Sequence, residues 1–130
     1  MKTNTADKWF SIYIRLRDSD ENGLVMCCTC GITRSWKHVD CGHFIKRQHM
    51  SARFSEINCN AQCKGCNCFE QGNDAKFANF IIEKYGQDKF DLLMASKRTN
   101  HKYSQFEIDY LAKEYKEKAT KLAKEKGIKL

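Results

Sequence analysis

The chain has 130 residues, 42% hydrophobic and 30% charged, with no proline; that is one domain's length, too apolar for a disordered polymer and without Pro-rich linkers. No run approaches the ~18 apolar residues of a membrane span, and the opening MKTNTADKWF lacks the ~7–15-residue apolar stretch of a secretory leader, so membrane and secreted classes are excluded and a cytoplasmic setting is expected. The net charge is +7, and residues 97–130 carry ten Lys/Arg against five Asp/Glu, which points to a polyanionic partner, nucleic acid before membrane.

Residues 5–17 read as a helix, with Trp9, Ile12, Tyr13 and Leu16 at i, i+3, i+4 and i+7; Phe10, Ile12, Ile14 and Leu16 also alternate, which keeps a strand open. Asp18-Ser19-Asp20-Glu21-Asn22-Gly23 imitates the start of a calcium loop, but the twelfth position is Thr29 and not a bidentate glutamate, so a turn is expected. Leu24 to Val39 should form short strands around a cysteine knuckle. Gly72-Asn73-Asp74 opens a helix that carries Phe77, Phe80, Ile81, Lys84 and Tyr85 on one side and stops at Gly86. A shorter helix over 88–96 carries Phe90, Leu93 and Met94.

Ser104-Gln105-Phe106-Glu107 is a capping box, and Ile108, Leu111, Tyr115, Ala119 and Leu122 continue as a helical stripe supported by Glu114–Lys118 and Glu117–Lys121. Lys113, Lys116, Lys121 and Lys124 are left partly free to face a phosphate backbone, and deleting residues 112–130 is expected to weaken salt-dependent binding without ending chemistry. The whole reads as a single α+β domain over 1–130: a helix and turn over 1–23, a core over 24–73 and a helical, basic part over 74–130.

All eight cysteines lie between Cys27 and Cys68. In a reducing compartment clustered cysteines more often hold metal than form disulfides. Cys27-x-x-Cys30 and Cys63-x-x-Cys66 are two knuckles 32 residues apart; each tight turn offers two sulfurs, and two turns complete a tetrahedral structural Zn²⁺ site. Cys28, Cys59 and Cys68 compete for the register, but Cys28-x-Cys30 is too short a turn and Cys59-x₃-Cys63 leaves Cys66 without a role.

A purely structural zinc ribbon needs little between its knuckles. Here that stretch holds three of the four histidines, in Trp36-Lys37-His38-Val39-Asp40-Cys41-Gly42-His43-Phe44-Ile45-Lys46-Arg47-Gln48-His49-Met50, followed by Arg53-Phe54 and Asn58. The segment resembles the HNH (His-Me finger, ββα-metal) nucleases. The string D-C-G-H-F-I-K-R-Q-H-M-S-A-R-F, then N-C-N-A-Q-C-K-G-C-N and G-N, is similar to the bacteriophage NinG (Rap) recombination family, most closely over residues 24–73. That resemblance implies a zinc-knuckled ββα-metal core, treble-clef-like and flanked by helices. It also implies a phage or prophage recombination function in the bacterial host cell, acting on branched DNA such as Holliday junctions or D-loops.

Carried over residue by residue, the resemblance makes His43 the general base, Asn58 the residue that turns the His43 ring, and Asn67, beginning a helix, a ligand of a catalytic Mg²⁺ or Mn²⁺. The chemistry agrees: a neutral imidazole suits proton abstraction from water, and a hard divalent ion suits the departing oxyanion. Gly42 departs from the pattern, because many HNH sites place an Asp or His there as a ligand. Asp40 is the first substitute, and His49 the second unless it contacts phosphate. Lys46, Arg47 and Arg53 flank the site as phosphate contacts, though Arg53 has a bracing role open to it beside Phe54. Trp36 packs in the core or stacks a base; His38 and His101 read as structural. Two other classes remain: a zinc module that binds nucleic acid without chemistry, favoured by Gly42, and a protein-interaction adaptor, which leaves the basic tail unexplained. Symmetric cutting of a four-way junction would favour a homodimer.

Overall fold

The computed structural model describes residues 1–130. The helical reading of the first segment holds, but its buried face differs: α1 (Asn4–Arg17) buries Ala6, Phe10 and Ile14, which four-residue spacing puts on one face, together with Leu16, and leaves Trp9, Ile12 and Tyr13 half-buried. The turn after it is closed by Asp20, whose Oδ1 accepts from the backbone N–H of Asn22 at 2.8 Å and of Leu24 at 2.9 Å, an Asx turn that engages the carboxylate with backbone donors. Strands β1 (Leu24–Met26) and β2 (Thr33–Ser35) form an antiparallel hairpin with the Cys27–Cys30 knuckle at its tip. Gly31, at φ +79°, closes that tip, a conformation that favours glycine.

A second antiparallel pair joins β3 (Val39–His43) to β4 (Cys59–Cys63), with Val39 opposite Cys63 and His43 opposite Cys59. The connection between them contains the single turn α2 (Met50–Arg53). After β4 come a π-helical turn over Gly65–Phe69 and then α3 (Asp74–Tyr85), α4 (Gln87–Ser96) and α5 (Gln105–Lys126). The capping box forms as read, with Glu107 N–H donating to Ser104 Oγ and Ser104 N–H to Glu107 Oε1, each at 3.1 Å. No helix is long and apolar enough to cross a membrane.

The β3–β4 pair lies between two helical layers. On one side α1 and α5 enclose Ala6, Phe10, Ile14, Phe54, Cys59, Ile108, Ala112 and Tyr115. On the other, α3 and α4 close over the β3–β4 connection through Ile45, Ala52, Phe77, Ile81 and Leu93. Helices α1 and α5 run in the same direction. At their starts Gln105 exchanges two 2.9 Å hydrogen bonds with the backbone of Lys2. At their ends Lys126 Nζ reaches the carbonyls of Leu16, Arg17 and Ser19, a cation on the negative end of α1.

Three expectations change here. The buried stripe of α5 is Ile108, Ala112, Tyr115, Ala119 and Ala123, with Leu111 and Leu122 at its margin, because a closely packed parallel partner leaves room for alanine and not leucine. Removing residues 112–130 would therefore strip Tyr115, Ala119 and Ala123 from the core, so the deletion is a folding lesion and not a test of binding. Of the two places open to Trp36 it takes the core, buried with Leu16, Ala119 and Ala123. Met94 is 38% exposed and leaves the core of α4 to Leu93.

Candidate functional site

The knuckles converge. The sulfurs of Cys27, Cys30, Cys63 and Cys66 all lie within 4.8 Å of one another, and Cys30 and Cys63 are 3.7 Å apart. A tetrahedron with Zn–S near ~2.3 Å has edges of about 3.8 Å, so this donor set can hold a metal such as zinc. Thr29 Oγ1 lies 3.3 Å from Cys27 Sγ and Cys66 N–H donates to Cys63 Sγ at 3.4 Å, the outer hydrogen bonds that orient metal-binding sulfurs. Burial raises the Cys27 thiol, but the Thr29 hydroxyl and nearby backbone N–H groups outweigh it and bring it down to about 6. Cys63 is pushed up to about 12 by burial and by the neighbouring sulfurs: four thiolates so close need a cation among them. Cys28, Cys59 and Cys68 stand outside the cluster.

Beside it, α1, β3, the β3–β4 connection and the π-helical turn surround an open cleft of about 710 Å³, with Asp40, His43, Lys46, Arg47 and Asn67 on its wall. The His43 ring is held at both nitrogens, Nε2 at 2.9 Å from the Arg53 carbonyl and Nδ1 at 3.3 Å from the Cys41 carbonyl. A neutral imidazole has one N–H; the shorter contact assigns it to Nε2, which leaves Nδ1 unprotonated beside the Cys41 carbonyl. Burial lowers the pKa of this ring from its ordinary value, against the two carbonyls, which raise it. Asn58 is fully buried and works as a strut. Its Oδ1 accepts from Ile45 N–H at 2.7 Å, and its Nδ2 donates to the carbonyls of Ile45 at 2.9 Å and Ala52 at 3.1 Å. It thereby fixes the backbone next to the Arg53 carbonyl that holds His43.

Asp40 and Asn67 meet: Asn67 Nδ2 donates to Asp40 Oδ2 at 2.9 Å, while Lys64 Nζ reaches Asp40 Oδ1 at 2.7 Å. Burial raises the Asp40 pKa, but the Lys64 and Asn67 hydrogen bonds prevail and hold it below the ordinary range. Asn67 sits on the π-helical turn and does not open a long helix as expected, because Cys66 beside it is drawn back to Cys63. Gly42 is closed to any ligand: a Cβ there would meet Gln62 Oε1 at 2.4 Å and Gln62 Cβ at 2.9 Å.

Three of the residues read from the sequence lie off the cleft wall. Asn58 lies beneath it, and His49 stands at the N-terminal end of α2 without a side-chain capping bond. Arg53 is engaged by Asp7, with Nε to Oδ1 at 2.9 Å and Nη2 to Oδ2 at 2.6 Å, so it braces α1 against the connection and is not free for phosphate. Arg47 keeps one 3.2 Å contact to Asp7 but is 57% exposed in its side chain. Sequence reasoning missed Asp7, Ser11, Gln71 and Asp74, all on the cleft wall. It also missed Arg17, which donates to the carbonyls of Glu56 and Cys59, each at 2.8 Å, and so ties α1 to β4. No local motif marks any of them.

The Asp7–Arg53 pair carries a prediction. Burial raises the Asp7 pKa, yet the hydrogen bonds to Arg53 and Thr3 and the charges of Arg53 and Arg47 bring it below 3.8. A carboxylate lowered on folding stabilises above its unfolded pKa and loses that contribution as pH falls through the folded value. Asp7→Asn should therefore destabilise by about 2 kcal/mol at neutral pH. The gap to the parent should narrow only as pH falls below about 4; denaturant titrations of both proteins at several pH values measure it, and a gap that does not change with pH rejects the pair's role.

The family model described as "Bacteriophage Lambda NinG protein" matches residues 2–125. Protein ninG of Escherichia phage lambda is 30% identical over 116 residues, covering 87% of this chain and 53% of that protein. Protein ninG of Escherichia phage 933W and of Enterobacteria phage VT2-Sa are each 29% identical over 116 residues, covering 54% of those proteins. The chain thus spans about half the length of these curated relatives. No solved structure matches the chain.

Proposed function

Since the chain belongs to the bacteriophage lambda NinG family, we propose that it is a metal-dependent DNA endonuclease of phage recombination, built on a zinc-knuckled ββα-metal core of the HNH kind. The observation that carries this reading is one cleft containing a neutral, fixed histidine, the Asp40–Asn67 pair and two exposed cations, Lys46 and Arg47. His43 Nδ1 takes the proton of the attacking water, while the Arg53 carbonyl on Nε2–H keeps the ring turned. Asp40 and Asn67, a carboxylate and an amide side by side, fit a Mg²⁺- or Mn²⁺-class ion. When bound, that ion supplies positive charge against the departing oxyanion. Lys46 and Arg47 hold flanking phosphates, and Zn²⁺ on the four cysteines is structural.

A second reading, a zinc-stapled nucleic-acid-binding module without chemistry, draws on Lys64, which already neutralises Asp40. Plasmid nicking with Mg²⁺ or Mn²⁺ separates the two, since only an enzyme relaxes supercoiled DNA. Branched DNA is the proposed substrate class and the bacterial host cell the proposed setting; four-way junctions run beside duplex test the first, and symmetric junction cutting would favour a homodimer.

Lys113, Lys116, Lys121 and Lys124 line one groove of α5 with Glu117 and Thr120, and all four lysines are exposed. Each phosphate neutralised on duplex DNA contributes about 0.9 to the salt slope of log K. Replacing all four lysines by glutamine should flatten that slope by roughly two or three units, equally for every sequence, with folding intact. Binding measured by fluorescence anisotropy across a salt series decides; an unchanged slope moves the DNA footprint away from α5.

A further inference from the structure

A second group of metal-type side chains lies beside the four-cysteine cluster. Cys41 and His43 are two apart on β3, and Cys59 stands opposite His43 on β4. Residues two apart share a strand face, as do directly opposed residues, so all three point the same way. One ligand atom from each falls within 4.8 Å of the other two. Cys59 is fully buried, whereas Cys41 and His43 are half-buried and reach the cleft. The group is therefore closed by protein on one side and open on the other.

We propose that Cys41, His43 and Cys59 form a second zinc-class site in the floor of the cleft, and that its occupation switches hydrolysis off; the second clause rests on the nuclease reading. Two thiols and an imidazole are donors that zinc takes in preference to magnesium. Three protein ligands with a fourth position open to water is the open arrangement of zinc sites, in contrast to the closed four-cysteine cluster. Binding displaces one proton from each thiol. The guanidinium of Arg17, bonded to the Cys59 carbonyl at 2.8 Å, and those of Arg53 and Arg47 near His43 offset the negative charge left behind. His43 needs little rearrangement: each ring nitrogen lies beside a carbonyl, Nε2 at 2.9 Å from Arg53 and Nδ1 at 3.3 Å from Cys41, so the nitrogen left off the metal keeps its N–H on a carbonyl, as metal-bound histidines keep such partners. A neutral imidazole has a single lone-pair nitrogen, so a ring that holds the metal has none left to take a proton from water, and the two uses exclude each other.

The test starts from full-length protein with its structural zinc in place and titrates it with Zn²⁺, then with Co²⁺. A second equivalent should bind, and the Co²⁺ form should show sulfur-to-cobalt charge-transfer absorption. Cys41→Ser with Cys59→Ala should keep the first equivalent and lose the second; if circular dichroism shows that the double variant does not fold, Cys41→Ser alone removes an accessible ligand and takes its place. Saturation of the parent at one equivalent, or a second equivalent that persists in a folded variant, overturns the site. In the nicking assay the second equivalent should slow the parent by roughly a hundredfold, reversibly on mild chelation, and leave the variant unaffected. Binding without this inhibition overturns the switch. If no form nicks DNA while the second equivalent still binds as stated, it is the nuclease reading that fails, and the metal site stands.

Discussion

Replacing His43 by alanine is expected to slow plasmid nicking by roughly 10²–10⁴-fold, the usual contribution of a positioned base. DNA affinity should stay within a factor of about three, because the proposed phosphate contacts are those of Lys46 and Arg47. The structural zinc should also remain, since no knuckle cysteine touches the imidazole. Asn58→Ala should act on the same step more indirectly. It leaves the N–H and carbonyl of Ile45 without their partner, costs about 1–3 kcal/mol, and frees the backbone that carries the Arg53 carbonyl. Nicking rates beside zinc content and a DNA titration check both variants. A His43→Ala protein that nicks at the parent rate removes the histidine from the chemistry.

The largest effect on stability is expected from the knuckles. Structural zinc contributes about 10–16 kcal/mol of apparent binding energy at neutral pH, as much as the whole stability of a typical domain. Protein purified without added metal should hold one tightly bound Zn²⁺. Cys63→Ser, or a strong chelator, should release it and unfold the region over 24–73. Elemental analysis and hydrogen exchange read this directly: the β1–β2 hairpin and the Gly65–Phe69 turn should lose protection when the metal leaves. A folded protein that contains no zinc, with full protection there, rules the structural role out.

What could be read from the sequence was local. The two C-x-x-C turns, the capping box at Ser104 and the Asp18–Gly23 turn each depend on a few consecutive residues, and all three form as expected. The α5 stripe was read through large side chains, whereas the close approach of α1 selects Ala112, Ala119 and Ala123, which carry too little hydrophobic signal to stand out. Asp40, Asn67 and His43 were named and do share one cleft. Asp7 was not, because its partners Arg47 and Arg53 lie 40 and 46 positions along the chain, and only the packing of α1 onto the β3–β4 connection brings them together. Gly42 looked like a missing ligand; its cause is the Gln62 side chain on the neighbouring strand, which leaves no volume for one.

The parallel pairing of α1 with α5 also sets an order of assembly. Helix α1 supplies Asp7, Phe10 and Ser11 to the cleft wall, yet its apolar face is covered by Ile108, Ala112 and Tyr115, about a hundred residues later. During synthesis α1 emerges first and cannot be buried until α5 has followed. Closing so long a loop is slow, as folds rich in distant contacts are. The zinc hairpin and the β3–β4 pair are assembled from residues much closer together, so they can form on the nascent chain while the wall is still missing. A growing chain therefore carries its knuckles and its histidine before the wall exists, and the cleft is finished only once α5 has been made and has closed over α1.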